Sequence, residues 1–86
     1  MIAIEFYGIP RLRAEARVLR VEASTVGQAL RELGRLCPGL EGSVVEQGRI
    51  HAAFKLSVNG ERFVSDPETC LTDGDVLLLL SADVGG

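Results

Sequence analysis

The chain has 86 residues, 47% of them apolar and 24% charged, the balance of one small globular domain and not of a disordered segment. Nine Lys plus Arg stand against twelve Asp plus Glu, a net charge of −3, which argues against nucleic acid as a partner because phosphate binding needs a basic surface. The two cysteines, Cys37 and Cys70, are too few for a disulfide framework or a four-thiolate zinc or iron–sulfur site, and read as reduced thiols of a cytosolic chain.

Met1 runs straight into Ile2-Ala3-Ile4, with Glu5 interrupting and no basic start. That is not the pattern of a secretory leader. The longest aliphatic run, Val76 to Leu80, is too short to cross a bilayer. The expectation is a cytoplasmic protein without a membrane partner.

Ile2, Ile4 and Phe6 alternate with Ala3, Glu5 and Tyr7, the period of a strand with one buried face. Gly8-Ile9-Pro10 breaks it. A second strand covers Ala16 to Glu22, with Leu19 and Val21 on one face, and the two form a hairpin with a long loop. Thr25-Val26-Gly27-Gln28 has the form of a capping box, with Thr25 accepting from the third helical residue and Gln28 reaching back. Behind it Val26, Ala29, Leu30, Leu33 and Cys37 recur at helical spacing. The pattern predicts one amphipathic helix over Val26 to Leu36, ended by Pro38-Gly39.

Residues 38 to 52 carry the weakest pattern, with Leu40, Val44 and Val45 as candidates to tuck under the sheet. Phe54, Leu56 and Val58 then alternate with Lys55 and Ser57. Asn59-Gly60 follows, a strong hairpin signal, and leads into Glu61-Arg62-Phe63-Val64. Asp66-Pro67 and Thr72-Asp73-Gly74-Asp75 read as turns. Val76 to Leu80 is the final strand, and its unbroken apolar run suits the middle of a sheet. Strand, strand, helix, strand, strand, strand implies an α+β fold, a mixed sheet with one main helix packed across one face.

No catalytic set assembles from these residues. His51 is the only histidine and reads as a surface or cap residue. Cys37 lies on the apolar helix face and Cys70 beside Leu71, so both read as small, inert core thiols. Asp73 and Asp75 flank Gly74 like a fragment of a calcium loop, but the other ligand positions are missing. No metal and no bound cofactor are expected. The other unusual feature is the Gly85-Gly86 end, whose bland reading is a frayed terminus.

The order of elements resembles a ubiquitin-like β-grasp domain. Leu56-Ser57-Val58-Asn59, then Leu71-Thr72-Asp73-Gly74-Asp75, an apolar strand and a terminal Gly85-Gly86 resemble the sulfur-carrier family (MoaD/ThiS type). That family includes the small subunit of molybdopterin synthase and the thiamine-pathway carrier. The strand Met1–Tyr7 and the helix start at Thr25-Val26, with Leu30 and Leu33, fit the same pattern. Length and the spacing from Leu71 to Gly86 favour the molybdopterin type. The departure lies in Ser81-Ala82-Asp83-Val84, where that type often has a Pro-Pro pair. Carriers for cysteine synthesis, thiamine or tRNA thiolation remain alternatives, as do a protein modifier and an interaction module that is never activated. Ferredoxin shares the fold, but two cysteines cannot hold its cluster.

The resemblance implies a β-grasp domain over residues 1–80 and a flexible tail over 81–86. It implies that a ubiquitin-activating-type adenylyltransferase spends ATP to adenylate Gly86, and that a sulfur donor protein then converts the adenylate to a thiocarboxylate. A molybdopterin synthase large subunit, in a heterotetramer, would receive the sulfur. Gly85 would thread the partner's channel, since a residue without Cβ fits where others clash. The carrier would not be an enzyme alone. Strand alternation adds a docking face: with Leu77 and Leu79 toward the helix, Leu78, Leu80 and Tyr7 form an exposed apolar patch near the tail. Val84 would extend it, Arg11 and Arg13 would belong to its polar rim, and residues 38–50 are the one stretch able to cover it.

Overall fold

Alternation along the first and last strands decides which side of the sheet is covered. The computed structural model describes residues 1–8 and 17–82. β1 (Ile2–Phe6) buries Ile2, Ile4 and Phe6, and the final strand, β7 (Val76–Ser81), buries Leu77 and Leu79. The two lie side by side and parallel at the centre of a five-stranded sheet. β2 (Val18–Val21) flanks β1, while β5 (Phe54–Val58) and β6 (Arg62–Val64) continue beyond β7, all antiparallel to their neighbours. The strand order β2-β1-β7-β5-β6 with one helix on one face is the α+β β-grasp arrangement. β2 is shorter than the expected strand, and the start of that span, with the loop preceding it, lies outside the described residues.

The helix α1 (Val26–Leu36) has the bounds its periodicity predicts and buries Val26, Ala29, Leu30 and Leu33 against the sheet. Each fully buried leucine contributes roughly 2–3 kcal/mol of transfer free energy. Thr25 caps it, its hydroxyl accepting from Gln28 N at 3.2 Å. Gln28 reaches back one residue further than a simple capping box requires: its Oε1 accepts from Ser24 N and Ser24 Oγ at 2.8 and 2.9 Å. The N-cap residue is instead drawn into a bridge with Cys70, and Leu71 N donates to Ser24 O.

The weakly patterned stretch is ordered by glycine. A 3-10 turn, Pro38–Leu40, leads to a small hairpin of β3 (Val45–Glu46) and β4 (Arg49–Ile50). Gln47 and Gly48, at φ 50° and 77°, form its two-residue turn, the type I′ geometry that matches strand twist. Leu40, Val44 and Val45 are fully buried in the same core as the inner sheet face. The segment therefore packs on the helix side and does not cover the opposite face of the sheet. Gly48 sits where the hairpin turn meets the first helical turn. A Cβ there would lie 3.2 Å from Gly27 O and 2.8 Å from Arg31 Nε. Gly48→Ala should cost about 1–3 kcal/mol in urea unfolding, from the left-handed backbone and the contact together. Gly60→Ala, with a similar φ of 70° but open space around it, should cost only about 1 kcal/mol.

The two sequence stretches Leu56–Asn59 and Leu71–Asp75 are tied to each other. Asn59 Nδ2 donates to Asp75 Oδ1 at 3.0 Å, and Val76 N donates to Asn59 Oδ1 at 2.8 Å. Asp75 Oδ2 accepts from Thr72 N at 2.8 Å, and the Met1 amino group pairs with Asp73. The two aspartates thus serve as turn acceptors at the end of the sheet where β7 begins. The Thr72 N–H and the Asn59 amide hold the Asp75 carboxyl below its ordinary pKa. A lowered folded pKa contributes stability above the unfolded value, lost as pH falls through the folded one. Asp75→Asn should therefore lower the thermal midpoint near neutral pH, and its gap from wild type should close as pH falls below the ordinary carboxylate range.

Candidate functional site

The sheet face away from the helix carries one row across all five strands that mixes apolar and polar side chains. By register, Val18 opposes Glu5, Glu5 pairs with Leu78, Leu78 with Ser57, and Ser57 with Phe63. A second row, one step toward the exit of β7, brings Leu80 opposite Lys55 with Tyr7 on the other flank. Leu78 and Leu80 point away from the helix as their alternation predicts. They are half-buried, however, because charged and aromatic neighbours stand on both sides. Tyr7 is 46% exposed, and its hydroxyl donates to Glu5 Oε1 at 2.7 Å. That hydrogen bond, with lesser help from burial, pushes the phenol pKa up.

Phe63 is the largest exposed apolar group on this face, 64% accessible, with Lys55 Nζ 5.0 Å from its ring centroid. That is within reach of a cation–π contact. Sequence reading does not single it out. The signal lies in the turn: Asn59 and Gly60 have positive φ, and Glu61 N donates to Val58 O at 3.0 Å, yet the closing pair is Val58 with Arg62. Glu61 is one extra residue, and an extra residue moves every following side chain to the other face.

β7 is held by β1 as far as Leu79 and on the β5 side to the end of the described chain. Ser81 pairs with Phe54, and Ala82 N donates to Ala53 O at 2.9 Å. The ladder therefore includes Ser81, which the sequence assigns to the tail, since backbone pairing does not depend on the apolar run that stops at Leu80. Val84, Gly85 and Gly86, with Arg11 and Arg13, lie outside the described residues. His51 stands beside this last rung, its ring edge-on to Phe54 and its Nδ1 accepting from Ala53 N at 3.4 Å.

The cysteines part company. Cys37 caps the helix C-terminus, half-buried, and burial pushes its thiol pKa up. Cys70 is exposed, not a core residue, because its neighbour Leu71 takes the inward position. Among the described residues there is no cluster of His, Cys, Asp and Glu able to hold a metal ion, and no helix long and apolar enough to cross a membrane.

The molecule thus presents a central strand that leaves the sheet beside an apolar face. Small archaeal modifier protein 1 from Haloferax volcanii has this fold, with a TM-score of 0.82 and 27% identity over 99% of this chain and 98% of that one. The chain has the ubiquitin-like β-grasp fold. CysO, solved in complex with BexX from Amycolatopsis orientalis, matches over 100% of both chains with TM-score 0.82 and 21% identity. Molybdopterin-converting factor from Helicobacter pylori 26695, solved as a complex of subunits 1 and 2, matches with TM-score 0.66 and 21% identity over 99% of this chain and 97% of that one. At that identity these two speak for the fold alone. No family model and no curated protein sequence matches the chain. The structural neighbours of this ubiquitin-like protein are small carriers, modifiers and subunits, and two of them were solved with a partner.

Proposed function

We propose that the chain is a sulfur carrier whose C-terminal Gly86 is adenylated by a partner and converted to a thiocarboxylate. The observation that carries this reading is the match to small archaeal modifier protein 1 over almost the whole of both chains, joined to a last strand whose final rung, Ala82 to Ala53, opens beside the apolar face. The four residues beyond Ala82 reach at most about 14 Å when extended, enough to enter a neighbouring protein's pocket. Without Cβ atoms, Gly85 and Gly86 fit a narrow channel and leave the carbonyl open to attack.

The chemistry belongs to partners. An adenylyltransferase of the ubiquitin-activating type joins the Gly86 carboxylate to AMP and releases pyrophosphate from ATP. The terminal sulfur of a donor-protein persulfide displaces AMP to give an acyl disulfide, and a second thiol then attacks the donor's cysteine sulfur, forming a disulfide with it and releasing the thiocarboxylate. Tyr7, Leu78, Leu80 and Val84 form the docking face, extended by Phe63 and Lys55. In the leading version the acceptor is a molybdopterin synthase large subunit in the cytoplasm, with this chain as the small subunit. A second version, modification of target lysines through Gly86, is favoured by the 27% identity to a modifier protein. The intact mass of protein purified with its partners tests the proposal. One oxygen replaced by sulfur, located on Gly86, is the expected result. Lysine adducts without any sulfur-bearing form would select the modifier, and neither product would overturn both.

A further inference from the structure

We infer that the helix side of the molecule carries a binding site for a small polyhydroxylated phosphate ester, its phosphate held between Arg31 and Arg49. A cleft of about 300 Å³ opens between the first two turns of α1, the β3–β4 turn and the Pro67-Glu68 corner. Its volume is at the small end of ligand pockets and well above that of a lone phosphate.

The floor is backbone. Gly27 N donates to Pro67 O at 2.8 Å, and a Cβ on Gly27 would lie 3.0 Å from Pro67 Cβ and 3.6 Å from Gly48 O. Three segments therefore meet in a fixed arrangement that any side chain at either glycine would fill. The Arg31 side chain crosses directly over Gly48, where an added Cβ would lie 2.8 Å from its Nε. That brings its guanidinium beside the residue preceding Arg49. Among the described residues neither arginine has an ion-pair or side-chain hydrogen-bond partner, and Glu46, opposite Arg49 in the ladder, makes no ion pair with it. Two like charges held on one cleft in an acidic protein favour a bound anion, and the planar guanidinium fork suits phosphate oxygens.

The remaining walls choose among phosphates. Gln28 has its Oε1 occupied by Ser24 N and Oγ, which leaves its amide N–H groups as donors on the cleft wall. Gln47, Thr25 and Glu68 add polar groups suited to hydroxyls, Glu68 as acceptor only. No aromatic side chain lines the cleft, which disfavours a nucleobase and favours a sugar or polyol. The site lies on the helix side, away from the docking face, and does not depend on the chemistry of Gly86.

Titration of the full chain with ribose 5-phosphate, inorganic phosphate or ribose, followed by amide chemical shifts at 15N, tests this. Saturable shifts at Gly27, Gln28, Gly48 and Arg49 with ribose 5-phosphate are expected. Inorganic phosphate should bind at least tenfold more weakly, and ribose should give no saturation. Arg31→Gln and Arg49→Gln should each weaken ribose 5-phosphate at least tenfold, with spectra otherwise those of a folded chain. Absence of saturable binding, equal affinity for inorganic phosphate, or arginine variants that bind as wild type would each overturn the assignment.

Discussion

Deleting Gly86 should remove the sulfur-bearing form altogether while leaving the thermal midpoint within about 2 °C of wild type. Among the described residues the chain beyond β7 last meets the sheet at Ala82 N, which donates to Ala53 O. Gly86 is four residues further along the chain, and on the proposed reading its loss removes the acyl carbon and leaves the described ladder and core in place. Gly86→Ala is the sharper variant. It keeps the carboxylate but adds a methyl group beside the carbonyl that must enter the adenylating site, and misplacement of a reacting group by an ångström costs about a hundredfold in rate. Activation, measured as AMP exchange with the partner enzyme, should fall by about that factor. A truncated chain that still carried sulfur would remove Gly86 from the chemistry, and a truncated chain that unfolded would make the tail structural.

The fold was legible where one physical rule acted alone. Helix periodicity and a Thr cap define α1 from Val26 to Leu36, and the apolar run of β7 places it centrally between β1 and β5. Legibility failed where a residue answered to two constraints. Glu61 looks like the first residue of a strand after an Asn-Gly turn; as an extra residue it turns Phe63 outward, opposite Ser57 and not Leu56. Gln47-Gly48 is a weak turn signal by composition, and the hairpin exists because only glycine at 48 lets the turn approach Gly27. Cys70 reads as a core residue beside Leu71, yet alternation permits only one of the two to face inward. The outward placement of Tyr7, Leu78 and Leu80 followed from strand period alone. The half-buried state of Leu78 and Leu80 did not, because it depends on Lys55 and Glu5, brought alongside by pairing between strands distant in sequence.

On the proposed reading, alternation on β7 also separates stability from docking in a single strand. Leu79 has no exposed surface and lies in the core shared with Ile4, Leu30 and Leu56. Leu79→Ala should cost about 2–5 kcal/mol, a large fraction of the roughly 5–10 kcal/mol expected of so small a domain. Leu80, the next residue, faces the other way between Lys55 and Tyr7. Its truncation to alanine should cost about 1 kcal/mol or less in urea unfolding. Leu80→Glu should nonetheless weaken binding to the adenylating partner about a hundredfold, since a charge would then be buried without a partner at the centre of the contact. Phe63→Ala should weaken it less, about tenfold, because Phe63 stands on β6, at the edge of the row. The decisive comparison is between neighbours: Leu79→Ala chains that remain folded at low temperature should dock as wild type, whereas Leu80→Glu chains of undiminished stability should not. If both bind normally, the open face of the sheet is not where the partner sits.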